Sequence, residues 1–325
     1  MTEYAGYLAV YHLDETHAVH AILSQGATAH KWTQVRRNQP LLVPTAGEHG
    51  VRDPHLLRSQ VDGRFHILGT DLDIRQDPRT GPDGNSWEVW PYVVRHGSRH
   101  IHHWVSDDLI NWLELPRIEL APANAGMAWA PKAVWDEKEQ AYLVVFSAKV
   151  YPSGAEHAEA EHAVPERTGE GAHRLLARHT RDFVEFGPVI DWGHPTRSTI
   201  DAAIVQDGDG YVRFIKDEEV RDVFSEASAD LSPEGWQEVS PSIKGDADTG
   251  MIEGPVVFQD FTTGRWFLWV DEYTEENRGY IPFSAADLRA PVWELDEEVY
   301  FPNKIKHGSV LPLTAAEFDR LIELT

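Results

Sequence analysis

SDDLINW, residues 106–112, is one copy of a pattern that this chain repeats: Ser or Thr, a short polar stretch often ending in Asp-Leu, then an aromatic residue a few positions on. It returns as TRDFVEF (180–186), SADLSPEGW (228–236) and SAADLRAPVW (284–293), and in weaker form as SQGATAHKW (24–32). A single copy would be no more than a common loop-to-strand sequence; five copies, each following a strand-like run, form an internal repeat. Such a unit suits the turn between the two outer strands of a four-stranded blade, with its aromatic residue packed between blades, so the repeat predicts an all-β, five-bladed β-propeller. The copies begin roughly 50 to 80 residues apart, more than a minimal blade needs, and the excess is expected in loops.

The surrounding sequence agrees. YLAVYHL, FHILGT, HIHHWVS, AYLVVFSA, RLLARH, YVRFIKDE, RWFLWVDEY and YIPFSA read as short strands rich in Val, Ile, Tyr, Phe and Trp. VDGR at 61–64, QDGDG at 206–210 and TTGR at 262–265 read as hairpin turns. The one helix expected is C-terminal: Thr314-Ala-Ala-Glu317 is a capping box, and Phe318, Leu321, Ile322 and Leu324 recur at helical spacing. Residues 71–100 and 150–173 are rich in Gly, Pro and charge without clear period, and read as loops. Residues 1–325 are thus expected to form a single domain.

Composition narrows the function. The 325 residues are 42% apolar and 25% charged, enough for a packed core. The 29 basic and 53 acidic residues give a net charge of −24, which argues against nucleic acid or anionic membrane as partners. The absence of cysteine excludes disulfides, thiolate catalysis and Cys-ligated metals. The first residues, MTEYAGYLAVYHL, lack the basic start and unbroken apolar run of a signal peptide, so the chain is expected to be cytoplasmic.

Three motifs place a carboxylate just before an apolar strand: Asp53 in GVRDPHLLR, Asp201 in STIDAAIVQDGDGYVRF and Glu253 in GMIEGPVVF. Each strand is followed by a hairpin and an aromatic-rich partner, as expected of the innermost strand of a blade. In a propeller those strand starts converge on the central axis, so three acids distant in sequence would meet in one pocket. Taken singly, each acid could equally be a turn or cap residue; their order and shared strand context favour chemistry.

RDP, then WAP (129–131), then the Asp201 motif, then IEGP, in that order, resembles glycoside hydrolase family 43, a group of five-bladed propeller furanosidases and xylosidases. The resemblance runs from about residue 20 to 312 and includes the late segment HGSVLPLT. It implies Asp53 as general base, Asp201 as the acid that tunes and orients the proton donor, and Glu253 as general acid. His307, in KHGSV, matches a histidine that members hold near the axis, often beside a calcium or a water-filled cavity. No cofactor is therefore required, and a structural calcium on the axis is an expectation. Many members carry an acid after WAP where this chain has Lys132, which would alter the charge at the pocket rim and with it substrate preference.

Inverting hydrolysis needs one carboxylate to activate water and one protonated acid to serve the leaving oxygen, roughly 6.5–9.5 Å apart. A third carboxylate beside Glu253 would raise its pKa by like-charge repulsion. Trp87, Trp90, Trp129 and Trp135 are candidate sugar platforms, with Trp90 and Trp129 favoured, alongside Lys132 and His307 as substrate-binding residues. His102, His103 and the pair His157 and His162 read as surface or loop residues. The reading is an inverting glycoside hydrolase acting on a small oligosaccharide or glycoside, foremost an exo-α-L-arabinofuranosidase. Endo-arabinanase, β-xylosidase and β-galactofuranosidase stand as alternatives on the same fold. A retaining fructan-cleaving enzyme is disfavoured because no Asn-Asp-Pro precedes the RDP motif. Another class is a carbohydrate-binding propeller without turnover, which would have no use for a base, a tuner and an acid in register.

Overall fold

A computed structural model describes residues 3–75, 77, 79–80, 89–151, 173–244, 249–274 and 277–325. The chain lays down β1 (Tyr4–His12), β2 (Val19–Ser24) and β3 (Trp32–Gln34), then β4 (Val51–Arg58), β5 (Phe65–Asp71), β6 (His100–Ser106) and β7 (Leu113–Glu119). Next come β8 (Trp129–Asp136), β9 (Ala141–Lys149), β10 (His173–Thr180) and β11 (Ile190–Asp191). The following sheet holds β12 (Thr199–Asp207), β13 (Gly210–Asp217), β14 (Asp222–Ser228) and β15 (Gln237–Ser240). The fifth holds β16 (Ile252–Gln259), β17 (Trp266–Glu272), β18 (Gly279–Ala285) and β19 (Glu294–Leu295), after which β20 (Lys306–Thr314) returns to pair antiparallel with β1. The result is five four-stranded sheets, the first ordered β20-β1-β2-β3 and the others in chain order. This is the predicted five-bladed propeller. The innermost strand of blade one comes from the chain's last strand, so residues 306–314 close the ring on residues 4–12.

All five copies of the repeat lie between the third and fourth strands of a blade. The chemistry of the turn explains its sequence. Ser106 Oγ accepts the amides of Asp108 and Leu109, and Asp108 Oδ1 accepts those of Ile110 and Asn111. Thr180 and Asp182 repeat this in blade three. With the backbone satisfied by these short side chains, the residue that follows the aspartate is free to enter the core: Leu109, Phe183, Leu231 and Leu288 are all at most 3% exposed. Each turn packs on the blade before its own. Leu109 and Trp112 join Leu8, Val10 and Leu311 of blade one; Phe183 and Phe186 join Leu57 and Leu68 of blade two. Leu231 and Trp236 join Leu143 and Leu175 of blade three, Leu288 and Trp293 join Phe214 of blade four, and Trp32 joins Phe258 and Phe267 of blade five. The core is therefore five inter-blade cores in a cycle, and burying each turn's apolar side chain contributes about 1.5–3 kcal/mol.

Helix α1 (Val89–His96) lies within the segment expected to be loop; Val89 and Val93 bury one short face against Leu72 and Ile74, too little period to show in sequence. Helix α2 (Ala315–Ile322) is the expected C-terminal helix. Glu317 Oε2 accepts the Thr314 amide at 2.8 Å, completing the capping box, and also pairs with Arg58 at 2.6 Å, tying the helix to β4. Phe318 and Leu321 are buried, whereas Ile322 is exposed. His102 and His103 are not surface residues: the third strand of a blade is covered on both faces, and both side chains are buried there. His102 bonds Asp71 at 3.1 Å, and His103 stands 2.9 Å from the ring nitrogen of His66. His157 and His162 lie outside the described residues. Among the described residues no helix is long and apolar enough to cross a membrane.

Candidate active site

Every innermost strand carries a bulge at its start, and at each bulge one residue has a left-handed backbone: Asp53 (φ 53°), Ala130 (48°), Asp201 (51°), Gly254 (53°) and His307 (45°). Pairing with the neighbouring strand slips at each of these places. A bulge re-aims a side chain out of the strand's alternation, and here it gathers two of the three expected acids and His307 at the axis. Positive φ costs a non-glycine residue free energy, so three charged or ionisable residues in it indicate a geometry retained for the site. Glu253 stands one position earlier, and its bulge residue is glycine for a steric reason. A Cβ on Gly254 would lie 2.9 Å from three atoms of the His307 ring. Gly254→Ala is expected to displace His307 and cost at least tenfold in kcat with a small change in melting temperature, measured by steady-state assay and thermal unfolding.

A second ring supports the first. The residues paired with the position before each bulge are His12, Thr70, Ser147, Lys216 and Asp271, all buried. Each reaches to the next blade. His12 Nδ1 accepts the Asp53 amide at 3.3 Å, Thr70 Oγ1 the Ala130 amide at 2.8 Å and Ser147 Oγ the Asp201 amide at 3.0 Å. Lys216 Nζ donates to Glu253 Oε2 at 2.6 Å, and Asp271 Oδ2 lies 3.3 Å from His307 Nε2. Thr70 also donates to Asp53 Oδ2 at 2.6 Å. Sequence reading missed this ring; the one visible signal was a lysine inside the apolar run YVRFIKDE.

His307 joins all three acids. Its Nδ1 is 3.0 Å from Asp53 Oδ1 and 3.9 Å from Asp201 Oδ2, and its Nε2 is 3.1 Å from Glu253 Oε1. Two carboxylates on opposite nitrogens of one imidazole stand no more than about 8 Å apart, compatible with an inverting pair. Burial works against the charged ring, but hydrogen bonds to Asp271, Asp53 and Glu253 raise its pKa well above the usual value. Burial likewise opposes the charge on Asp53, and is outweighed by His307, His12 and Arg52, which hold it well below the usual carboxylate range. Asp201 behaves differently: burial, with the charges of Glu253 and Asp53 and against that of His307, raises it to about 6.

Glu253 departs from expectation. Like-charge repulsion predicted a raised pKa, yet despite burial the contacts with Lys216 and His307 hold it below the ordinary range. Repulsion from Asp201 is present but loses to two cations that the sequence did not place beside it. Of the Asp201–Glu253 pair, Asp201 is therefore the more readily protonated in the ligand-free arrangement.

Lys132 follows the bulge by two residues, and its Nζ donates to the carbonyl of Gly308, the residue after His307, at 2.9 Å. Burial lowers its pKa to about 8 while Asp53 and Asp201 favour its charge. Trp90 and Trp129 come together, edge to face with centroids 6.1 Å apart, and the Arg52 guanidinium lies 5.4 Å over Trp90. Trp129 directly precedes a bulge, so this pair flanks the acids. Trp135 instead packs edge-on against Tyr142 at 5.0 Å as part of a blade core; Trp87 lies outside the described residues. Asp201, Glu253 and His307 each offer a ligand atom, all within 4.8 Å of one another. Calcium requires six to eight oxygen ligands. Here the centre is an imidazole, and Glu253 is already paired with Lys216, so this donor set does not fit the expected axial calcium.

A closed five-bladed ring with two aspartates and a glutamate around one axial histidine has the arrangement of a propeller glycosidase. The family model Glyco_hydro_43_rel, described as "Probable glycosyl hydrolase domain", matches residues 2–319, and the chain belongs to that family. A curated relative, an alpha-L-arabinofuranosidase of Bifidobacterium longum subsp. longum, is 29% identical over 187 residues, 56% of this chain. The match spans only 16% of that protein's length. Among solved structures, a thermostable family-43 glycoside hydrolase superposes with a TM-score of 0.51 at 14% identity, over 81% of this chain and 77% of that one. An exo-beta-1,3-galactanase from Phanerochaete chrysosporium gives 0.50 at 14% identity, over 79% and 50%. These structural likenesses concern the fold.

Proposed function

We propose that the chain is an inverting glycoside hydrolase that releases a terminal pentose or furanose, foremost an α-L-arabinofuranosyl unit from short oligosaccharides. The observation that carries the reaction class is the meeting of Asp53, Asp201 and Glu253, from three blades, around His307. The choice of sugar is supported by the curated relative's name. Asp53, held ionised, is ready to take a proton from the attacking water. Glu253 serves the leaving oxygen. It receives its proton from the pair it forms with Asp201 once the leaving group separates it from Lys216, whose charge otherwise favours the ionised form.

The test is a panel of p-nitrophenyl α-L-arabinofuranoside, β-xyloside and β-galactofuranoside, with the product anomer followed by proton NMR. Release from none of them would remove the proposal, and retention of configuration would remove the inverting mechanism. Within the panel, Glu253→Gln is expected to lower kcat on arabino-oligosaccharides by about 10²–10⁴-fold. Its effect on dinitrophenyl arabinofuranoside, whose leaving group needs no proton, should be under tenfold.

A further inference from the structure

Beside the acids stands a charged cluster that neither the repeat nor the catalytic motifs pointed to. Asp14, in the turn after β1, has Oδ1 3.3 Å from Arg52 Nη2 and 3.7 Å from His12 Nε2, and Oδ2 2.8 Å from Lys306 Nζ. Both cations are nearly covered, with side chains 12% and 10% exposed, whereas the Asp14 side chain is 41% exposed. Arg52 and Lys306 are also the residues directly before Asp53 and His307. The strand starts that position the base and the axial histidine therefore hold this carboxylate as well, between blades one and two.

An ionised carboxylate has about four lone-pair sites. Arg52 and Lys306 take one on each oxygen, which leaves an acceptor on each oxygen toward solvent. The donors fix the group in place, while its outer edge remains available to two neighbouring donors. Two adjacent ring hydroxyls supply such a pair of donors, and can in turn accept from the remaining N–H groups of Arg52, whereas Lys306 Nζ also donates to Asn277 Oδ1 at 3.0 Å. The indole pair of Trp90 and Trp129 adjoins through Arg52, offering apolar area to the C–H face of the same ring.

We propose that Asp14, clamped between Arg52 and Lys306, is a specificity-determining residue that accepts hydrogen bonds from a vicinal pair of hydroxyls on the sugar to be released. This rests on the glycoside hydrolase reading above. Asp14 touches substrate but takes no part in proton transfer, so its loss raises KM more than it lowers kcat.

The experiment compares wild type with Asp14→Asn on p-nitrophenyl α-L-arabinofuranoside and on its 2-deoxy and 3-deoxy counterparts, with thermal unfolding as a control on folding. Asp14→Asn is expected to lower kcat/KM on the parent substrate by roughly tenfold to a hundredfold, the range for a hydrogen bond to a charged group. On the 2-deoxy and 3-deoxy substrates, each of which keeps one hydroxyl of the pair, the loss caused by Asp14→Asn should shrink to roughly threefold to tenfold, because the bond to the missing hydroxyl cannot be lost twice. Asp14→Ala, whose side chain has no acceptor, should show the same pattern more strongly. An equal loss on all three substrates, or no loss on the parent, would overturn the role of Asp14 while leaving the hydrolase reading intact. Failure of wild type to cleave the parent would remove the hydrolase reading, and this inference with it.

Discussion

Asp53→Asn is expected to lower turnover by about two to four orders of magnitude on every substrate, whatever its leaving group, since the attack of water is common to all of them. Asparagine is the informative replacement because position 53 has φ 53°. That left-handed conformation is adopted by Asn far more readily than by residues such as Ala. The amide also keeps an oxygen for the Thr70 hydroxyl, so the bulge and its bond to the neighbouring strand of blade two survive while the basic charge is lost. Steady-state kinetics on aryl and oligosaccharide substrates, with the melting temperature as control, check the prediction. Loss confined to poor leaving groups would assign Asp53 a different role.

His307→Asn is expected to be the most destabilising single change at the site. It removes the cation that Asp53, Glu253 and Asp271 share, leaving buried carboxylates short of a partner, and breaking such an arrangement costs about 3–5 kcal/mol. For a chain of this length that corresponds to a fall in melting temperature of about 4–7 °C. Asn again suits the backbone, here φ 45°. The pH dependence has a definite sign. The folded-state pKa of His307 is raised, so its contribution is fully present below the unfolded value of about 6.5 and is lost as pH rises through the folded value. Asp53 and Glu253 are depressed, so their contribution is present above about 4 and is lost as pH falls through their folded values. The difference between wild type and variant should therefore be widest near pH 6 and shrink at strongly alkaline pH, as measured by thermal unfolding. A difference that grows on the alkaline side would contradict an imidazolium at the axis.

What the sequence made legible follows from how local each feature is. The blade turn is written in adjacent residues: Ser106 and Asp108 satisfy amides two and three positions away, so the pattern survives as a motif. Asp53, Asp201 and Glu253 were legible because a carboxylate at the head of an apolar strand stands out. The second ring was not, since Thr70, Ser147 and Lys216 share a role only through the register of their strands with bulges on the neighbouring strand. For the same reason acids could be counted before their counter-charges could be placed. The raised pKa expected of Glu253 belongs to Asp201 because Lys216, 37 residues away, lands 2.6 Å from Glu253. Lys132, read from the position after WAP, is held by the Gly308 carbonyl of another blade, a partner 176 residues away that its own motif does not show. Asp14 looked like any polar turn residue until Arg52 and Lys306 met it.

The return of β20 to β1 also sets an order in time. The three acids lie at residues 53, 201 and 253, but the imidazole that gathers them is at 307, on the strand that fills the innermost place of the first blade. While the chain is being synthesised, four blades can pair their own strands, yet β1 presents a bare edge until residues 306–314 emerge, and an unpaired edge invites pairing with a neighbouring chain. A polypeptide interrupted between residues 296 and 305 would hold four whole blades, three strands of the first and all three carboxylates, without the imidazole that joins them.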